Sequence, residues 1–263
     1  MGEGGAGIKS MLKIKNITKS FGGVQAIRGS SFVIAEKQVT ALIGPNGAGK
    51  TTLFDIITGF LAPDSGQIIF NGTDITRLES FERVGLGMSR TWQQVRLFRH
   101  LTIADHLRMI EDGDDMRVWK NLFKEQGIPL RQGYEGRARN KEQYGERLKQ
   151  FGIKKDVDTI VSELSYGQRK LLQICLAVSQ PHTLLLLDEP VAGVNSVVQA
   201  QVEELLLDLK AQGDTMLLID HDMGFVRKLA DRVVVLDAGV VIAEGGPEVV
   251  LNDVRVLEAY LGA

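Results

Sequence analysis

The fold of this chain is decided by the stretch Gly44-Pro45-Asn46-Gly47-Ala48-Gly49-Lys50-Thr51-Thr52. It fits the pattern G-x-x-x-x-G-K-[ST] of the phosphate-binding P-loop. The apolar run Val39 to Ile43 before it reads as a buried strand, and residues 52–57 after it read as the opening of a helix. In such a turn, backbone N–H groups point at phosphate oxygens with the positive end of the helix behind them. The stretch therefore predicts a nucleoside-triphosphate site.

Two side chains of this stretch have chemistry suited to a triphosphate. Lys50 is predicted to bridge the β- and γ-phosphates of ATP, and the Thr51 hydroxyl is predicted to ligate Mg²⁺. The alternative is a glycine-rich turn that binds nothing. The dinucleotide pattern G-x-G-x-x-G does not fit, because the glycines fall at positions 44, 47 and 49.

Length and composition limit the class of protein. The 263 residues, 44% of them hydrophobic, suffice for one large α/β domain or for a domain with a smaller lobe. A net charge of −2 gives no support for nucleic-acid binding. The single cysteine, Cys175, lies in an apolar helical stretch and is interpreted as a buried structural thiol. The glycine-rich start has no apolar core of a signal peptide and is predicted to be a flexible tail.

Strand patterns lie on both sides of a helical middle. The segments that read as strands are Met11 to Thr18, Ser31 to Ala35, Gln67 to Phe70, Thr183 to Leu187, Thr215 to Ile219, Arg232 to Leu236 and Val240 to Glu244. An amphipathic helix at about residues 197–210 indicates parallel βαβ units. We predict an α/β fold: a P-loop NTPase core of a parallel sheet with flanking helices, an N-terminal antiparallel β region and an α-helical subdomain.

The helical middle contains a polar insert at residues 111–143. Within it, Trp119, Leu122 and Phe123 form an apolar stripe at helical spacing, typical of a small helix that packs on the rest of the domain. A partner-docking face is the alternative, and the role of the insert stays open. His100, His106 and His182 are interpreted as surface or capping residues.

A second half of the nucleotide site follows the four-leucine run 184–187. That run is predicted to be a central parallel strand, because both of its faces are apolar. Asp188 and Glu189 follow at its carboxyl end, where α/β sheets bind ligands, and strand alternation predicts that they point different ways. We assign Asp188 to Mg²⁺ and Glu189 to the general base, a role worth about 10²–10⁴ in rate. Helix-capping acids are the alternative interpretation.

The stretch Leu164-Ser165-Tyr166-Gly167-Gln168 opens an apolar helix. Ser165 and Gln168 have the spacing of a capping box, which predicts an exposed helix N-terminus able to attract an anion. A plain capped helix is the alternative. His221 follows the apolar run 216–219 and is predicted to lie at the same sheet edge as Asp188, a position compatible with a phosphate contact.

These motifs resemble the ATP-binding-cassette (ABC) ATPases. The P-loop, Leu-Ser-Tyr-Gly-Gln, Leu-Leu-Asp-Glu-Pro and the residues 219–222 occur in the order and spacing of that family, over nearly the whole chain. We place the flexible tail predicted from composition at 1–9, and the resemblance implies one ABC ATPase domain at 10–263. Within it, a RecA-like lobe would take 10–92 and 181–263, and a helical subdomain would take about 93–180.

The resemblance also implies site residues that the motifs alone do not supply. Two cassettes would pair head to tail, so that Ser165, Gly167 and Gln168 of one face the ATP bound to the P-loop of the other. Gln93 would sense Mg²⁺ and the membrane subunit, and His221 would be the switch histidine at the γ-phosphate. Phe21 stands where an aromatic ring stacks on adenine.

Within the family, the stretch Arg90 to Phe98 and the ending Ala259-Tyr260-Leu261-Gly262 are similar to the branched-chain amino-acid importer group. This resemblance implies an ATPase peripheral to the cytoplasmic face of the cell membrane. Its expected partners are a second ABC ATPase subunit (the same chain or a paralogue), transmembrane permease subunits and, indirectly, a solute-binding protein, with no nucleic acid. The expected function is ATP hydrolysis that powers import of branched-chain or other amino acids.

Other functions are open at this point. The same cassette could serve lipid or lipopolysaccharide export, or import of urea or another small polar solute. A soluble ABC protein acting on DNA or ribosomes usually carries two cassettes or a long coiled-coil insertion, and this chain has neither. A P-loop kinase would leave the stretch from Ser165 to Gln168 unexplained.

Overall fold

The computed structural model describes residues 9–113 and 134–261, which divide into two compact units. The first unit takes the chain up to Arg90, His182–Ala192 and the chain from Leu206 onward. The second unit takes Thr91–Pro181 and Gly193–Leu205. The predicted stripe of Trp119, Leu122 and Phe123 lies outside the described residues, as do residues 1–8 of the predicted tail.

The first unit contains two sheets. Its strands are β1 (Ser10–Phe21), β2 (Val24–Ala35), β3 (Val39–Ile43), β4 (Ser65–Phe70), β5 (Thr73–Asp74), β6 (Met88–Arg90), β7 (Leu184–Asp188), β8 (Met216–Ile219), β9 (Arg232–Asp237) and β10 (Val240–Gly245). One sheet is antiparallel, in the order β2-β1-β4-β5. The other has the order β10-β9-β3-β8-β7-β6, and all its pairs except β10–β9 are parallel. The predicted fold class, an antiparallel region beside a parallel core, is confirmed.

The parallel sheet is central to the core of this unit. Every residue of β3 and β7 is buried, and each of these strands pairs in parallel with a neighbour on both sides. A strand without a polar face can only sit inside a sheet that is covered on both faces, as the four-leucine run predicted. The helices of this unit are α1 (Lys50–Ile57), α2 (Ser80–Gly85), α7 (Met223–Leu229), α8 (Pro247–Val250) and α9 (Val254–Leu261). Leu53, Phe54 and Ile57 of α1 belong to the apolar core.

Several strands are longer than their sequence patterns predicted, and the difference is largest in β2 and β1. β2 begins at Val24, not at Ser31. Among its first six residues only Ile27 is buried, so they carry no alternating pattern that would have predicted a strand. β1 continues to Phe21 through a register irregularity at Asn16, whose φ of 47° is left-handed. The Asn16 N–H donates to Ser31 Oγ at 2.8 Å, and this hydrogen bond replaces the backbone hydrogen bond that the bulged residue does not make to the neighbouring strand.

The second unit is helical in its described part. It contains α3 (Ile103–Gly113), α4 (Tyr134–Gln150), a 3₁₀ turn (Val161–Glu163), α5 (Tyr166–Ser179) and the first residues of α6 (Ser196–Gln212). Cys175 on α5 is fully buried, and this burial raises the pKa of its thiol to about 12, so the prediction of a structural thiol is confirmed. Across residues 9–113 and 134–261, none of the helices is long and apolar enough to cross a bilayer.

The interpretation of His106 as a surface or capping residue was wrong. Only 4% of it is exposed. Its Nε2 accepts the Phe98 N–H at 3.0 Å, and its Nδ1 lies 2.8 Å from the Thr102 carbonyl oxygen. Both bonds form together when a neutral ring carries its proton on Nδ1. A single sequence contains no sign of this burial, because both partners are backbone groups.

Candidate functional site

The P-loop connects the buried strand β3 to α1, and its shape depends on glycines. Gly44 has a φ of 152°, and a Cβ added there would lie 2.0 Å from the Leu236 carbonyl oxygen. Gly49, at a φ of 100°, would place a Cβ 2.7 Å from the Ala26 carbonyl oxygen. Both neighbours are backbone atoms that cannot rotate away. The loop can therefore take this path only with glycine at these two positions.

Lys50 is the first residue of α1 and folds back over the loop. Its Nζ donates to the carbonyl oxygens of Gly44 at 2.7 Å and Pro45 at 2.9 Å. Burial lowers the pKa of the Lys50 amino group, and the negative charge of Glu189 opposes this shift. The ammonium group is thus held at the mouth of the loop.

The remaining P-loop residues differ in exposure. Asn46, Gly47 and Thr51 are exposed, Thr52 is half-buried, and Ala48 is buried. The Ala48 carbonyl accepts the Gly239 N–H at 2.9 Å, which attaches the loop to the turn between β9 and β10. The loop therefore presents its outer residues to solvent while its base is fixed to the sheet.

Asp188 ends β7 and is buried. Its Oδ2 accepts a hydrogen bond from Nη2 of Arg90 at 3.1 Å. Burial raises the pKa of the Asp188 carboxyl, and the positive charge and hydrogen bond of Arg90 oppose that rise. In the sequence, Arg90 stands out only as part of a stretch that resembles a family, and nothing local predicts this contact with Asp188.

Glu189 follows Asp188 directly but contacts a different partner. Strand alternation was the predicted cause, but the strand ends at Asp188, and Glu189 has a left-handed φ of 45°. Its Oε1 lies 3.8 Å from Nδ1 of His221. A non-glycine residue with this φ is uncommon, and such strain is concentrated at functional sites. The two carboxylates face different partners because the chain turns between them.

His221 follows β8, the strand next to β7, and its side chain is 65% exposed. The preceding residue, Asp220, is buried, and its Oδ1 accepts the N–H groups of His221 at 2.8 Å and Asp222 at 3.0 Å. Burial raises the pKa of the Asp220 carboxyl, and these two backbone donors oppose the rise. Asp222 in turn caps α7 by accepting the Phe225 N–H. The backbone on both sides of His221 is thus tied down, while its ring faces solvent.

Phe21 ends β1 in the antiparallel sheet, and 49% of it is exposed. The Lys19 ammonium lies 5.6 Å from the centroid of its ring. A half-exposed aromatic face next to a cation can accept a planar, electron-rich base.

The predicted signature residues belong to the second unit. Ser165 caps α5: its Oγ accepts the Gln168 N–H at 3.2 Å, and Gln168 Oε1 accepts the Ser165 N–H at 2.9 Å, which confirms the capping box. Ser165 is exposed and Gly167 is half-buried. A Cβ on Gly167 would lie 2.8 Å from Val198 Cγ2, so this position has no room for a side chain. The helix therefore begins with a hydroxyl and a bare backbone at the surface.

Gln93 is also in the second unit, where α5 holds its backbone. Nζ of the buried Lys170 donates to the Gln93 carbonyl at 3.0 Å, and Nε2 of Gln173 donates to the Trp92 carbonyl at 3.0 Å. Gln93 itself is exposed. Sequence reasoning missed Lys170, whose only signal was a charge at the start of an apolar helical run.

The geometry of the first unit suits a phosphorylated ligand and a divalent cation. The P-loop combines exposed backbone with an ammonium group, and hydroxyl and carboxylate oxygens are the ligands that Mg²⁺ prefers. A family profile described as "ABC transporter" matches residues 27–192, which is more than half of the chain. This chain belongs to the ABC transporter family. A second profile, described as "Branched-chain amino acid ATP-binding cassette transporter", matches residues 240–263 of the cassette.

Individual proteins resemble the cassette over nearly its full length. The high-affinity branched-chain amino acid transport ATP-binding protein BraF of Pseudomonas aeruginosa is 34% identical over 97% of this chain and 98% of its own. The lipopolysaccharide export system ATP-binding protein LptB of Haemophilus influenzae is 30% identical over 96% of this chain and 98% of its own. A solved nucleotide-free ATP-binding cassette from an ABC transporter is similar with a TM-score of 0.80 and 33% identity, covering 97% of this chain and 100% of that chain.

These findings confirm the predicted family and its enzymatic class. The chain is an ABC ATPase, homologous to the ATP-binding proteins of branched-chain amino acid transport. The roles of the individual site residues stay predictions.

Proposed function

We propose that this cassette hydrolyses ATP to power a membrane importer of branched-chain or other amino acids. One observation carries the proposal: the Lys50 ammonium is held over the P-loop, and the negative charge of the Glu189 carboxylate, in the same unit, acts on that ammonium. An ammonium held over a glycine loop suits a triphosphate, and a nearby carboxylate suits a base for water. The profile matched at residues 240–263 supports an amino acid as the solute.

In this proposal, the P-loop holds the ATP phosphates. Lys50 and the backbone N–H groups of the loop offset the negative charge that develops on the γ-phosphate during attack by water. Thr51, Asp188 and Gln93 would hold Mg²⁺. Bound there, Mg²⁺ would neutralise charge on the phosphate oxygens. The half-exposed ring of Phe21 would stack on the adenine base.

Glu189 acts as the general base and accepts a proton from the attacking water. His221, with Nδ1 3.8 Å from Glu189 Oε1, contacts the γ-phosphate. The left-handed φ of 45° at Glu189 supports this assignment, because backbone strain of this kind is concentrated at functional sites. Asp220 fixes the backbone that carries His221.

A second cassette, identical or paralogous, completes each nucleotide site. The exposed hydroxyl of Ser165, the bare backbone at Gly167 and Gln168 form a helix N-terminus suited to an anion. In the pair, this N-terminus faces the γ-phosphate held by the opposite P-loop. ATP then favours the closed pair over the open one, and hydrolysis removes that preference.

The pair would act at the cytoplasmic face of the cell membrane, bound to transmembrane permease subunits that receive solute from a binding protein. Lipopolysaccharide export is a second candidate function, favoured by the 30% identity to LptB. Purification from detergent-solubilised membranes distinguishes the two. A permease of an amino-acid importer in the complex supports import, and a lipopolysaccharide permease refutes it.

The enzymatic proposal is tested with Glu189→Gln, and Glu204→Gln on an exposed face of α6 serves as the matched control. Without a base, hydrolysis of ATP should fall by about 10²–10⁴ while ATP binding is retained. Size-exclusion chromatography with Mg²⁺ and ATP should then show a stable dimer of the Glu189 variant only. Hydrolysis at the wild-type rate would remove Glu189 from the role of base.

A further inference from the structure

Arg90 is a buried cation that neither the P-loop nor the signature motif includes. It ends the short strand β6, and 8% of its side chain is exposed. β6 pairs in parallel with β7, and Arg90 lies opposite Leu186, two residues before Asp188. The guanidinium group therefore starts from the strand next to the one that carries the proposed metal carboxylate.

The guanidinium group of Arg90 joins two elements of the site. Its Nη1 donates to Oδ1 of Asp55 and to Oγ1 of Thr58, each at 2.7 Å, and its Nη2 donates to Oδ2 of Asp188 at 3.1 Å. Asp55 lies on α1, and Thr58 is the C-cap of that helix, which begins at Lys50. One planar group thus connects the helix of the P-loop to the carboxylate at the end of β7.

Aromatic rings hold the guanidinium plane in place. Cζ of Arg90 lies 4.8 Å from the ring centroid of Phe54 and 5.6 Å from that of Phe60. A guanidinium group stacks on such rings and presents its donors in a fixed fork. The ammonium of lysine is a single point on a flexible chain, and it cannot bind Asp55 and Asp188 from separate nitrogens.

We propose that Arg90 is a positioning residue that holds the Asp188 carboxylate at a set place relative to the P-loop helix, so that a divalent metal can bind with the nucleotide. The inference rests on the metal role proposed for Asp188. Groups that hydrogen-bond to a metal ligand orient it, and their replacement typically weakens metal binding by about 10–100-fold.

Two substitutions distinguish an orienting role of Arg90 from a purely electrostatic one. Arg90→Lys keeps the positive charge but loses the fork, so it should weaken metal binding. Arg90→Met removes both the charge and the fork, and it should also weaken metal binding if Arg90 acts by orienting Asp188. If Arg90 mainly repelled the metal, Arg90→Met would strengthen metal binding, and that result would overturn the proposal.

The test is calorimetry of the β,γ-imido analogue of ATP, which is not hydrolysed, with Mg²⁺ and with EDTA. The ratio of the Kd in EDTA to the Kd in Mg²⁺ is the metal enhancement. We expect Arg90→Lys to lower this enhancement about tenfold, with the Kd in EDTA unchanged. Arg77→Lys, at an exposed position of the same unit, is the matched control and should leave the enhancement unchanged.

A double variant separates positioning from general damage to the fold. Asp188→Asn alone should lower the enhancement, and adding Arg90→Lys to it should cause no further loss, because Arg90 acts through Asp188. A further loss in the double variant would overturn the proposal. If Arg90→Lys does not fold, Thr58→Val takes its place, because it removes one hydrogen-bond acceptor of the guanidinium group. Thr58→Val should then lower the enhancement, and an unchanged enhancement in this variant would also overturn the proposal.

The outcomes distinguish this inference from the function on which it rests. If Asp188→Asn lowers the enhancement and Arg90→Lys leaves it unchanged, the positioning role fails and the metal role of Asp188 stands. If Asp188→Asn itself leaves the enhancement unchanged, the metal assignment fails, and the role of Arg90 fails with it.

Discussion

Replacing Gly44 by alanine should displace the start of the P-loop from the backbone of Leu236 on β9. The new Cβ would lie 2.0 Å from the Leu236 carbonyl oxygen, whereas ordinary contact begins near 3.4 Å, so β3 and β9 would have to separate by 1.4 Å at this point. The φ of 152° adds backbone strain of about 1–3 kcal/mol. Forced displacement in a packed core costs about 1–3 kcal/mol more. We expect a loss of about 4 kcal/mol in the free energy of unfolding.

Alanine substitutions at two other glycines provide comparisons for the stability loss expected at Gly44. Gly47 has a φ of 81° with nothing within 4 Å of an added Cβ, so Gly47→Ala should cost only the backbone strain. Gly85 has open space and no positive φ, so Gly85→Ala should stabilise the protein by about 0.4–1 kcal/mol.

Urea unfolding followed by far-ultraviolet circular dichroism measures all three variants, and calorimetry with ADP reports the state of the loop. The order of stability should be Gly85→Ala, wild type, Gly47→Ala, Gly44→Ala. Equal losses for Gly44→Ala and Gly47→Ala would refute the reasoning, because the contact with Leu236 would then cost nothing. Wild-type ADP affinity in Gly44→Ala would also contradict it.

Three further predictions address a charge in the site, a buried charge and a buried thiol. Lys50→Ala should weaken ADP binding about 10–100-fold in calorimetry, because it removes a charged donor worth about 1.5–3 kcal/mol. Lys13→Ala, at an exposed position, is its control. An ADP affinity equal to that of the wild type would contradict the P-loop assignment. Arg83→Met should lower the free energy of unfolding in urea by about 2–4 kcal/mol, because the guanidinium group donates to two carbonyls at the end of α1. A loss below about 1 kcal/mol would contradict this prediction. The folded-state pKa of Cys175 is raised to about 12 from 9.0, so its contribution to stability is complete below pH 9.0 and is lost as the pH rises toward 12. Wild type should therefore lose more stability than Cys175→Ala over that range, and native Cys175 should resist alkylation at pH 8; parallel stability curves for the two proteins would disprove this.

The P-loop and the four-leucine strand were predictable because their signals are local. Phosphate binding by a loop needs glycines and a lysine at fixed spacing, and a strand buried on both faces needs a continuous apolar run. The first half of β2 escaped prediction, because Ile27 is the one buried residue among its first six and a single apolar position makes no alternation. β6 was missed as well, since three residues are too few to form a pattern.

The direction of Glu189 shows a different limit. Its divergence from Asp188 was expected from the pleat of a strand, but the backbone leaves the strand and takes a left-handed turn. Backbone conformation at one non-glycine residue depends on what surrounds it, and the residue names 188–190 do not encode those surroundings.

By itself, the sequence determined the family, the P-loop, the order of strands and helices around it and the capped N-terminus of α5, because each depends on residues close together in the chain. Only the tertiary structure decided that Arg90 meets Asp55 and Asp188, which are 35 and 98 positions away from it. It also decided which charges are buried, as at Lys170. The physical reason is that a hydrogen bond between distant residues depends on how strands pair and pack, and a single sequence states those pairings nowhere.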